Sequence, residues 1–158
     1  MDNPIKMKLG TLCYIEHDGK ILLLKRNKKE NDVHEGKWIG LGGKIEQGES
    51  PVECIIREVE EESGLKILDP KLRGILTFPK FKDNIDWYVF LYTATEFSGE
   101  LIDSPEGHLE WIEKDKVLEM PTWEGDLIFL NLLLKDQSNF EIKFEYNTEG
   151  KLDSYTIY

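Results

Sequence analysis

The first strong pattern along the chain is a pair of apolar, β-prone runs with a turn dipeptide between them. The runs are Leu9–Glu16 and Lys20–Arg26, and the dipeptide is Asp18-Gly19. Asp-Gly tolerates the positive φ angles that a two-residue hairpin turn requires. The pattern therefore predicts two strands joined by a tight turn near the start of the chain.

A helix is predicted from Pro51 to Ser63 by the signals at its two ends. Ser50 can cap the first turn, Pro51 suits the first helical position, and Glu53 completes a capping box. Gly64 can adopt the left-handed backbone conformation that ends many helices. Local chemistry alone thus sets both ends of this helix.

The rest of the chain alternates between strand-like and helix-like patterns. Strands are predicted at Lys71–Phe78, Trp87–Thr95, Phe140–Tyr146 and Leu152–Tyr158, a short helix at Lys114–Glu119, and a longer apolar helix at Gly125–Lys135. The polar stretch Asn27–Lys37 is predicted to be a loop. This mixture indicates an α/β fold built from layers of helix and sheet.

Length and charge limit the kinds of protein this chain can be. Its 158 residues, of which 40% are hydrophobic, fit one domain spanning residues 1–158. The formal net charge of -11 disfavours binding to a nucleic acid polymer. A small phosphorylated substrate would be repelled as well, unless basic side chains or metal ions offset the charge.

Cysteine usage and hydropathy suggest where the protein works. Cys13 and Cys54 are far apart and form no metal-binding motif, so we expect reduced, buried thiols in a cytoplasmic protein. The start of the chain lacks the apolar core of a signal peptide, and the apolar run Leu127–Leu134 is too short to span a bilayer. We therefore expect a soluble protein without a membrane partner.

The predicted helix carries three glutamates on one side. Glu58, Glu61 and Glu62 fall within an arc of roughly 100°, and Glu60 falls outside it. A second arc is apolar and is expected to be buried, and it consists of Val52, Ile55, Ile56 and Val59. Like charges at these spacings destabilise a helix by about 0.2–0.5 kcal/mol per pair, which a Mg²⁺ ion would offset. Taken alone, three glutamates on a helix are better explained by a solvated acidic face.

The surrounding segment favours the metal. From residue 43 to residue 65 the chain runs GKIEQGESPVECIIREVEEESGL, which resembles the Nudix box, Gly-x5-Glu-x7-Arg-Glu-apolar-x-Glu-Glu-x-Gly-apolar, at every fixed position. The matching residues are Gly43, Glu49, Arg57, Glu58, Val59, Glu61, Glu62, Gly64 and Leu65. The resemblance to Nudix hydrolases implies an α/β/α sandwich around a central mixed β-sheet.

The resemblance also implies roles for the residues of the box. Glu58, Glu61 and Glu62 would hold Mg²⁺, or Mn²⁺ as a substitute, together with a backbone carbonyl near Gly42. One of the glutamates would help to deprotonate the attacking water, and the sequence leaves open which one. Glu49 and Arg57 are expected to be structural, with the guanidinium of Arg57 tying the helix to the preceding loop through a carboxylate.

Segments outside the box are similar to the MutT-type branch of the family, which includes hydrolases of oxidised purine nucleoside triphosphates. The segment around residues 104–111 resembles a loop that supplies one more metal ligand, which here is Glu106. Trp123 and Asp126 resemble residues that stack on the purine and hydrogen-bond to its edge. Lys44 and Arg26 are candidate phosphate ligands, with a solvated basic side chain as the alternative for each.

Two positions depart from that branch. Gly125 replaces the first of two adjacent acids, and Ile39 stands where an asparagine contacts the base. Both changes remove edge contacts that discriminate between bases. Trp38, Trp87 and Trp111 are expected to line the core or the cleft, and the three histidines are isolated and receive no predicted role, namely His17, His34 and His108.

The resemblance implies a Mg²⁺-dependent enzyme that converts nucleoside triphosphates to monophosphates and pyrophosphate. Oxidised purine nucleotides such as 8-oxo-dGTP are the leading substrate, so the enzyme would cleanse the nucleotide pool. Guanosine alarmones, ordinary nucleotides and nucleotide-sugars are alternatives, and a nucleotide-sensing domain without activity is a further one. Hydrolysis of RNA ends is disfavoured by the net charge. The sequence gives no oligomeric state.

Overall fold

Two helices lie on opposite faces of a mixed β-sheet in the computed structural model, which describes residues 6–158. The strands are β1 Met7–His17, β2 Lys20–Arg26, β3 Trp38–Ile39, β4 Lys66–Leu68, β5 Lys71–Lys82, β6 Ile85–Ala94, β7 Glu96–Ser98, β8 Gly107–Glu113, β9 Phe140–Tyr146 and β10 Leu152–Ile157. The helices are α1 Pro51–Ser63 and α2 Glu124–Leu134, and Lys114–Glu119 forms a 3₁₀ helix. Residues 1–5, where the predicted domain begins, lie outside the described residues.

The main sheet has the strand order β10-β9-β5-β6-β1-β2-β3, and β8 pairs with β2 outside this order. Strand β1 runs parallel to β6, and β5 runs parallel to β9, whereas β5 and β6 are antiparallel. Strands β4 and β7 form a small separate sheet. The predicted central mixed sheet is therefore confirmed.

The hairpin at the start of the chain opens soon after its turn. Asp18 and Gly19 have φ angles of 51° and 74°, as the predicted turn requires. Strands β1 and β2 pair only next to this turn and then separate. Residues 41–44 take the vacated edge of β1, where the amides of Cys13 and Leu41 donate to each other's carbonyls at 2.6 and 3.0 Å. The separation thus brings a glycine-rich segment against the middle of β1.

Alternate residues of β1 face two different cores. Cys13 and Ile15 pack with Ile55 and Val59 of α1, whereas Tyr14 packs in the other core. That second core contains Phe129 and Leu130 of α2, together with Phe140, Ile142 and Phe144 of β9. Side chains alternate between the faces of a strand, so one sheet buries both helices. The predicted α/β/α sandwich is confirmed.

Helix α1 has the predicted bounds and both predicted caps. The Ser50 hydroxyl accepts from the Glu53 amide, the Glu53 carboxylate accepts from the Ser50 amide, and Gly64 has a φ of 82°. The predicted apolar arc was wrong at Val52, whose exposed fraction is 38% because it lies in the solvent-facing first turn. Cys54 is buried in its place, and both cysteines are free, buried thiols.

Four short strands were not predicted, namely β3, β4, β7 and β8. Among the strands that were predicted, β1 and β5 extend beyond their predicted bounds, β6 begins two residues earlier, and β6 and β10 each end one residue earlier. The 3₁₀ helix has the bounds that were predicted for a short helix, and α2 is shifted by one residue at each end. Within residues 6–158 no helix is long and apolar enough to cross a membrane.

Candidate active site

In the glycine-rich segment 41–44, Gly42 and Gly43 lie so close to β1 and α1 that neither position has room for a side chain. A Cβ atom on Gly42 would overlap the backbone carbonyl of Thr11, and one on Gly43 would overlap the carboxylate of Glu58. The amide and hydroxyl of Thr11 also donate to the Gly43 carbonyl at 2.9 and 3.1 Å. Glycine is therefore required here for the backbone to approach both β1 and α1.

Glu62 projects from α1 toward this segment and is almost completely buried, with 5% of its surface exposed. Its carboxylate accepts a hydrogen bond from the Gly42 amide at 3.1 Å. Burial is the main cause that raises the pKa of Glu62 to about 8, and the negative charges of Glu58 and Glu106 contribute, against the opposing effects of that hydrogen bond and of Arg26. Glu58, Glu62 and Glu106 therefore form one region of mutual repulsion that a cation would relieve.

Glu61 occupies a more open position than the other two glutamates of its arc. Its side chain is 60% exposed, and Arg57 Nη1 lies 3.3 Å from its carboxylate. The same nitrogen donates to Glu58 at 2.8 Å. Arg57 thus partly neutralises the carboxylate face that the helix presents, whereas Glu60 is exposed outside that face.

Arg57 also fixes the loop that precedes α1. Its Nε and Nη2 atoms donate to the two carboxylate oxygens of Glu49 at 2.7 and 2.9 Å, and Glu49 accepts from the Glu46 amide as well. The hydrogen bond from Arg57 holds the pKa of Glu49 down at about 2. The predicted tie between helix and loop is confirmed as a bidentate ion pair.

Glu106 approaches the site from the loop before β8 and is held by two cations. Its carboxylate lies 3.3 Å from Arg26 Nη2 and 2.8 Å from Lys29 Nζ. Arg26 is only 15% exposed, and its Nε lies 2.8 Å from Asp32 without the alignment of a hydrogen bond. In this structure Arg26 therefore faces carboxylates, and Lys44, the other candidate phosphate ligand, is exposed to solvent.

The donor atoms in this region suit a hard divalent cation, since they are carboxylate oxygens beside a backbone segment. Within residues 6–158 no three acidic, histidine or cysteine side chains converge into a ready-made metal cluster. The carboxylates repel one another and are held apart by ion pairs. Arg57 pairs with Glu58 and Glu61, and Arg26 pairs with Glu106. A cation would have to compete with these ion pairs for the same oxygens.

A second group of residues surrounds Trp123, which precedes α2. The indole Nε1 donates to His34 Nδ1 at 2.8 Å. The rings of Phe81 and Tyr146 meet the Trp123 ring edge-on, with ring centres 5.0 and 5.6 Å away. Burial lowers the pKa of His34 to about 4, so the imidazole is a neutral acceptor. These contacts fix the plane of the tryptophan ring.

Asp126 lies in the first turn of α2, where its amide donates to the Trp123 carbonyl at 3.0 Å. It is 7% exposed and accepts a hydrogen bond from the Thr122 hydroxyl at 3.2 Å. Burial raises the pKa of Asp126 to about 7, against the effects of Thr122 and Lys37. A carboxylic acid with this pKa can donate or accept a hydrogen bond near neutral pH.

The two departures from the MutT-type pattern have different physical settings. The amide of Gly125 donates to the Tyr146 hydroxyl at 2.7 Å, and a Cβ atom at this position would lie 2.6 Å from that oxygen. Tyr146 therefore fills the space that an acidic side chain at position 125 would need. Ile39 is a buried core residue of β3, with 8% of its surface exposed.

Several residues of the site were missed from the sequence. Asp32 and His34 connect the acidic residues near α1 with the residues around Trp123. Asp32 pairs with Arg26, and it also accepts a hydrogen bond from the His34 amide at 3.1 Å. His34 is 89 residues from Trp123 in the chain, so no local spacing could have indicated their contact. The polar loop in which both residues lie was the only available signal.

Comparisons with known proteins cover most of this architecture. The family model described as the NUDIX domain matches residues 7–133. An uncharacterized Nudix hydrolase of Bacillus subtilis is 34% identical over 151 residues, 93% of this chain and 92% of that protein. The oxidized purine nucleoside triphosphate hydrolase of Danio rerio is 30% identical over 128 residues, 81% of this chain and 80% of that protein.

A solved structure agrees with the fold over almost its whole length. The crystal structure of a mutator MutT protein from Bacillus halodurans has a TM-score of 0.86 and 34% sequence identity to this chain. The superposition covers 96% of this chain and 97% of that protein. The agreement therefore includes the sheet, both helices and the terminal hairpin.

Proposed function

Because the chain belongs to the Nudix family of hydrolases, which act on pyrophosphate bonds, we propose that it cleaves nucleoside triphosphates to monophosphates and pyrophosphate. The metal is Mg²⁺, with Mn²⁺ as a substitute. The observation that carries the proposal is the burial of Glu62 against Gly42, beside the negative charges of Glu58 and Glu106. Such a set of oxygens is costly without a cation.

The residues that would hold the metal are those on and around α1. Glu58, Glu61, Glu62 and Glu106 would supply carboxylate oxygens, and Gly42 would supply its carbonyl. When bound, the metal would neutralise the diphosphate and lower the pKa of the attacking water. One of the three α1 glutamates would accept the proton of that water. Release of Glu58 and Glu61 from Arg57 would be part of metal binding.

The remaining residues would bind the nucleotide. Lys44 is exposed beside the glycine segment and can reach a phosphate, and Arg26 would act mainly by orienting Glu106. Trp123 would stack on the base, and Asp126 would hydrogen-bond to its edge. An oxidised purine is the proposed substrate, supported by the name of the Danio rerio relative, which covers four fifths of its own length in the match.

A substrate screen tests this function directly. Pyrophosphate and phosphate release would be measured with 8-oxo-dGTP, the canonical nucleotides, a guanosine alarmone and a nucleotide-sugar, with Mg²⁺ and with a chelator. We expect pyrophosphate release from purine triphosphates, highest for 8-oxo-dGTP, and none with the chelator. Faster turnover of the alarmone or the nucleotide-sugar would reject the proposed substrate class.

The role of Trp123 can be tested in the same screen. Trp123→Ala should raise KM for purine nucleotides by about tenfold or more, since stacking on an aromatic side chain contributes about 1–3 kcal/mol per base. Trp123→Phe is the matched control, because it keeps a stacking face and loses only the bond to His34. Unchanged purine selectivity in Trp123→Ala would show that this residue is not the base platform, that is, the surface on which the base stacks.

A further inference from the structure

Lys37 has no role in the function proposed so far, yet its side chain lies over the proposed base platform. The ammonium nitrogen is 4.5 Å from the centre of the Trp123 ring. The Lys37 amide donates to the His34 carbonyl at 2.9 Å, and the Lys37 carbonyl accepts from the Arg26 amide at 3.0 Å. The backbone of Lys37 is therefore fixed, and only its side chain is free to move.

The same ammonium group acts on Asp126. Its positive charge favours the ionised form of that buried carboxyl, in opposition to the effect of burial. Lys37 consequently lies over the face of the ring and within electrostatic range of Asp126. The proposed base site thus combines one cationic donor with one buried acid.

The two positions that depart from the MutT-type pattern supply no polar side chain to this site. Tyr146 occupies the space next to Gly125, and Ile39 is an apolar core residue. Glu124 is exposed, and its carboxylate accepts from the Leu152 amide at 3.3 Å. Among residues 6–158, no cation other than Lys37 lies over the Trp123 ring. Lys37 is therefore the cation, and Asp126 the buried acid, that the described residues bring to the proposed base site.

We propose that Lys37 is a specificity-determining residue that donates hydrogen bonds to a carbonyl oxygen on the edge of the base, and so selects keto purines over amino purines. The proposal rests on the proposed function, since it takes Trp123 as the base platform. An ammonium group has three donors and no acceptor. It complements the carbonyl at carbon 6 of guanine or hypoxanthine and opposes the amino group at carbon 6 of adenine.

Arrival of the base would move Lys37 from the ring face to the base edge. A cation–π contact at a partly exposed site is weaker than a hydrogen bond that involves a charged group, so the exchange is favourable. The base would then take the position over Trp123 that the ammonium group holds in this structure. With an amino purine the ammonium would lose the ring and face the amino group at carbon 6, where only the ring nitrogens N1 and N7 remain as acceptors.

The test compares dITP with dATP, whose bases differ in the group at carbon 6. The ratio of their kcat/KM values would be measured for the wild type, Lys37→Met and Lys37→Arg. We expect the wild type to favour dITP by at least about tenfold, Lys37→Met to bring the ratio close to one, and Lys37→Arg to retain the preference. Lys25→Met is the matched control, because Lys25 also lies over a tryptophan, Trp38, and its loss should leave the ratio unchanged.

A binding measurement separates this inference from the proposed function. Affinities for dIMP and dAMP would be measured by calorimetry for the same four proteins, without turnover. If no nucleotide is hydrolysed, the proposed function fails, while a dIMP preference that disappears in Lys37→Met still supports the role of Lys37. Equal losses for both nucleotides in Lys37→Met, or no keto preference in the wild type, would overturn it.

Discussion

Asp126 shows how burial and charge compete at a single residue. Its pKa lies at about 7 in the folded protein, mainly because burial disfavours the charged form, against 3.8 for an ordinary aspartate. Between these two pH values the folded state binds more protons than the unfolded state, so stability falls as pH rises. The acid proposed to contact the base is thus maintained at a cost to the fold.

This cost predicts a pH-dependent gain in the variant Asp126→Asn. Its free energy of unfolding should match the wild type near pH 4 and exceed it above pH 7, by on the order of 2–4 kcal/mol. Urea unfolding across this pH range measures the difference. A stability difference that does not change with pH would show that Asp126 does not titrate as described.

Asp136→Asn is the control, and it should show the opposite trend. Asp136 is exposed, and its ion pair with Arg73 lowers its pKa. The stabilisation it provides is present above the pKa of an unfolded aspartate and is lost as pH falls through the folded value. Asparagine also tolerates the positive φ of 54° at this position, so the substitution tests charge alone.

At the scale of single residues, the contacts around the proposed metal ligands were easier to anticipate from the sequence than those around Trp123. Glu58, Glu61 and Glu62 share one helix, so regular geometry places them together. His34 and Lys37 reach Trp123 only through the folded loop 27–37, and loop conformation follows no periodic pattern. Contacts of this kind require the tertiary structure.

At the scale of elements, α1 was predicted with both of its bounds because all of its signals are local. The capping box and the left-handed glycine act within a few residues of each end. The strands β3, β4, β7 and β8 lack such signals. Strand β8, GHLEWIE, mixes polar residues with Leu109, Trp111 and Ile112, which pack against the cores, and it pairs with β2 along its whole length. Its β structure depends on that partner more than on intrinsic preference.

The end of α1 offers a prediction with a matched control. Gly64 and Gly48 both have positive φ, of 82° and 80°. A Cβ atom on Gly64 would meet the Glu100 carbonyl at 2.5 Å, whereas one on Gly48 would meet nothing within 4 Å. Gly48→Ala should therefore cost only the backbone penalty of about 1–2 kcal/mol, and Gly64→Ala clearly more.

Denaturant midpoints of these two variants and the wild type provide the measurement. The difference between the variants isolates steric crowding, because the backbone penalty is common to both. This difference in stability reports how tightly the end of α1 is packed against residues 100–102. Equal losses of stability would show that the end of the helix is free to adjust.

At the scale of the whole molecule, the net charge of -11 and the proposed polyphosphate substrate are in conflict unless cations intervene. The structure concentrates carboxylates around Glu62 and balances part of them with Arg57, Arg26 and Lys29. A divalent cation bound there would reverse the local charge toward a phosphate. The proposed metal would therefore serve substrate binding as well as hydrolysis.

We propose that one face of α1, and not the acidity of the helix in general, supports metal-dependent hydrolysis. Glu61→Gln and Glu60→Gln remove the same charge from adjacent, exposed positions of this helix. The decisive measurement is the Mg²⁺ dependence of pyrophosphate release for these two variants and the wild type, with unfolding midpoints to verify folding. We predict a loss of at least about 100-fold for Glu61→Gln, since even outer residues of metal sites contribute roughly 10–100-fold, and near wild-type activity for Glu60→Gln. Turnover of Glu61→Gln close to that of Glu60→Gln would contradict the assignment.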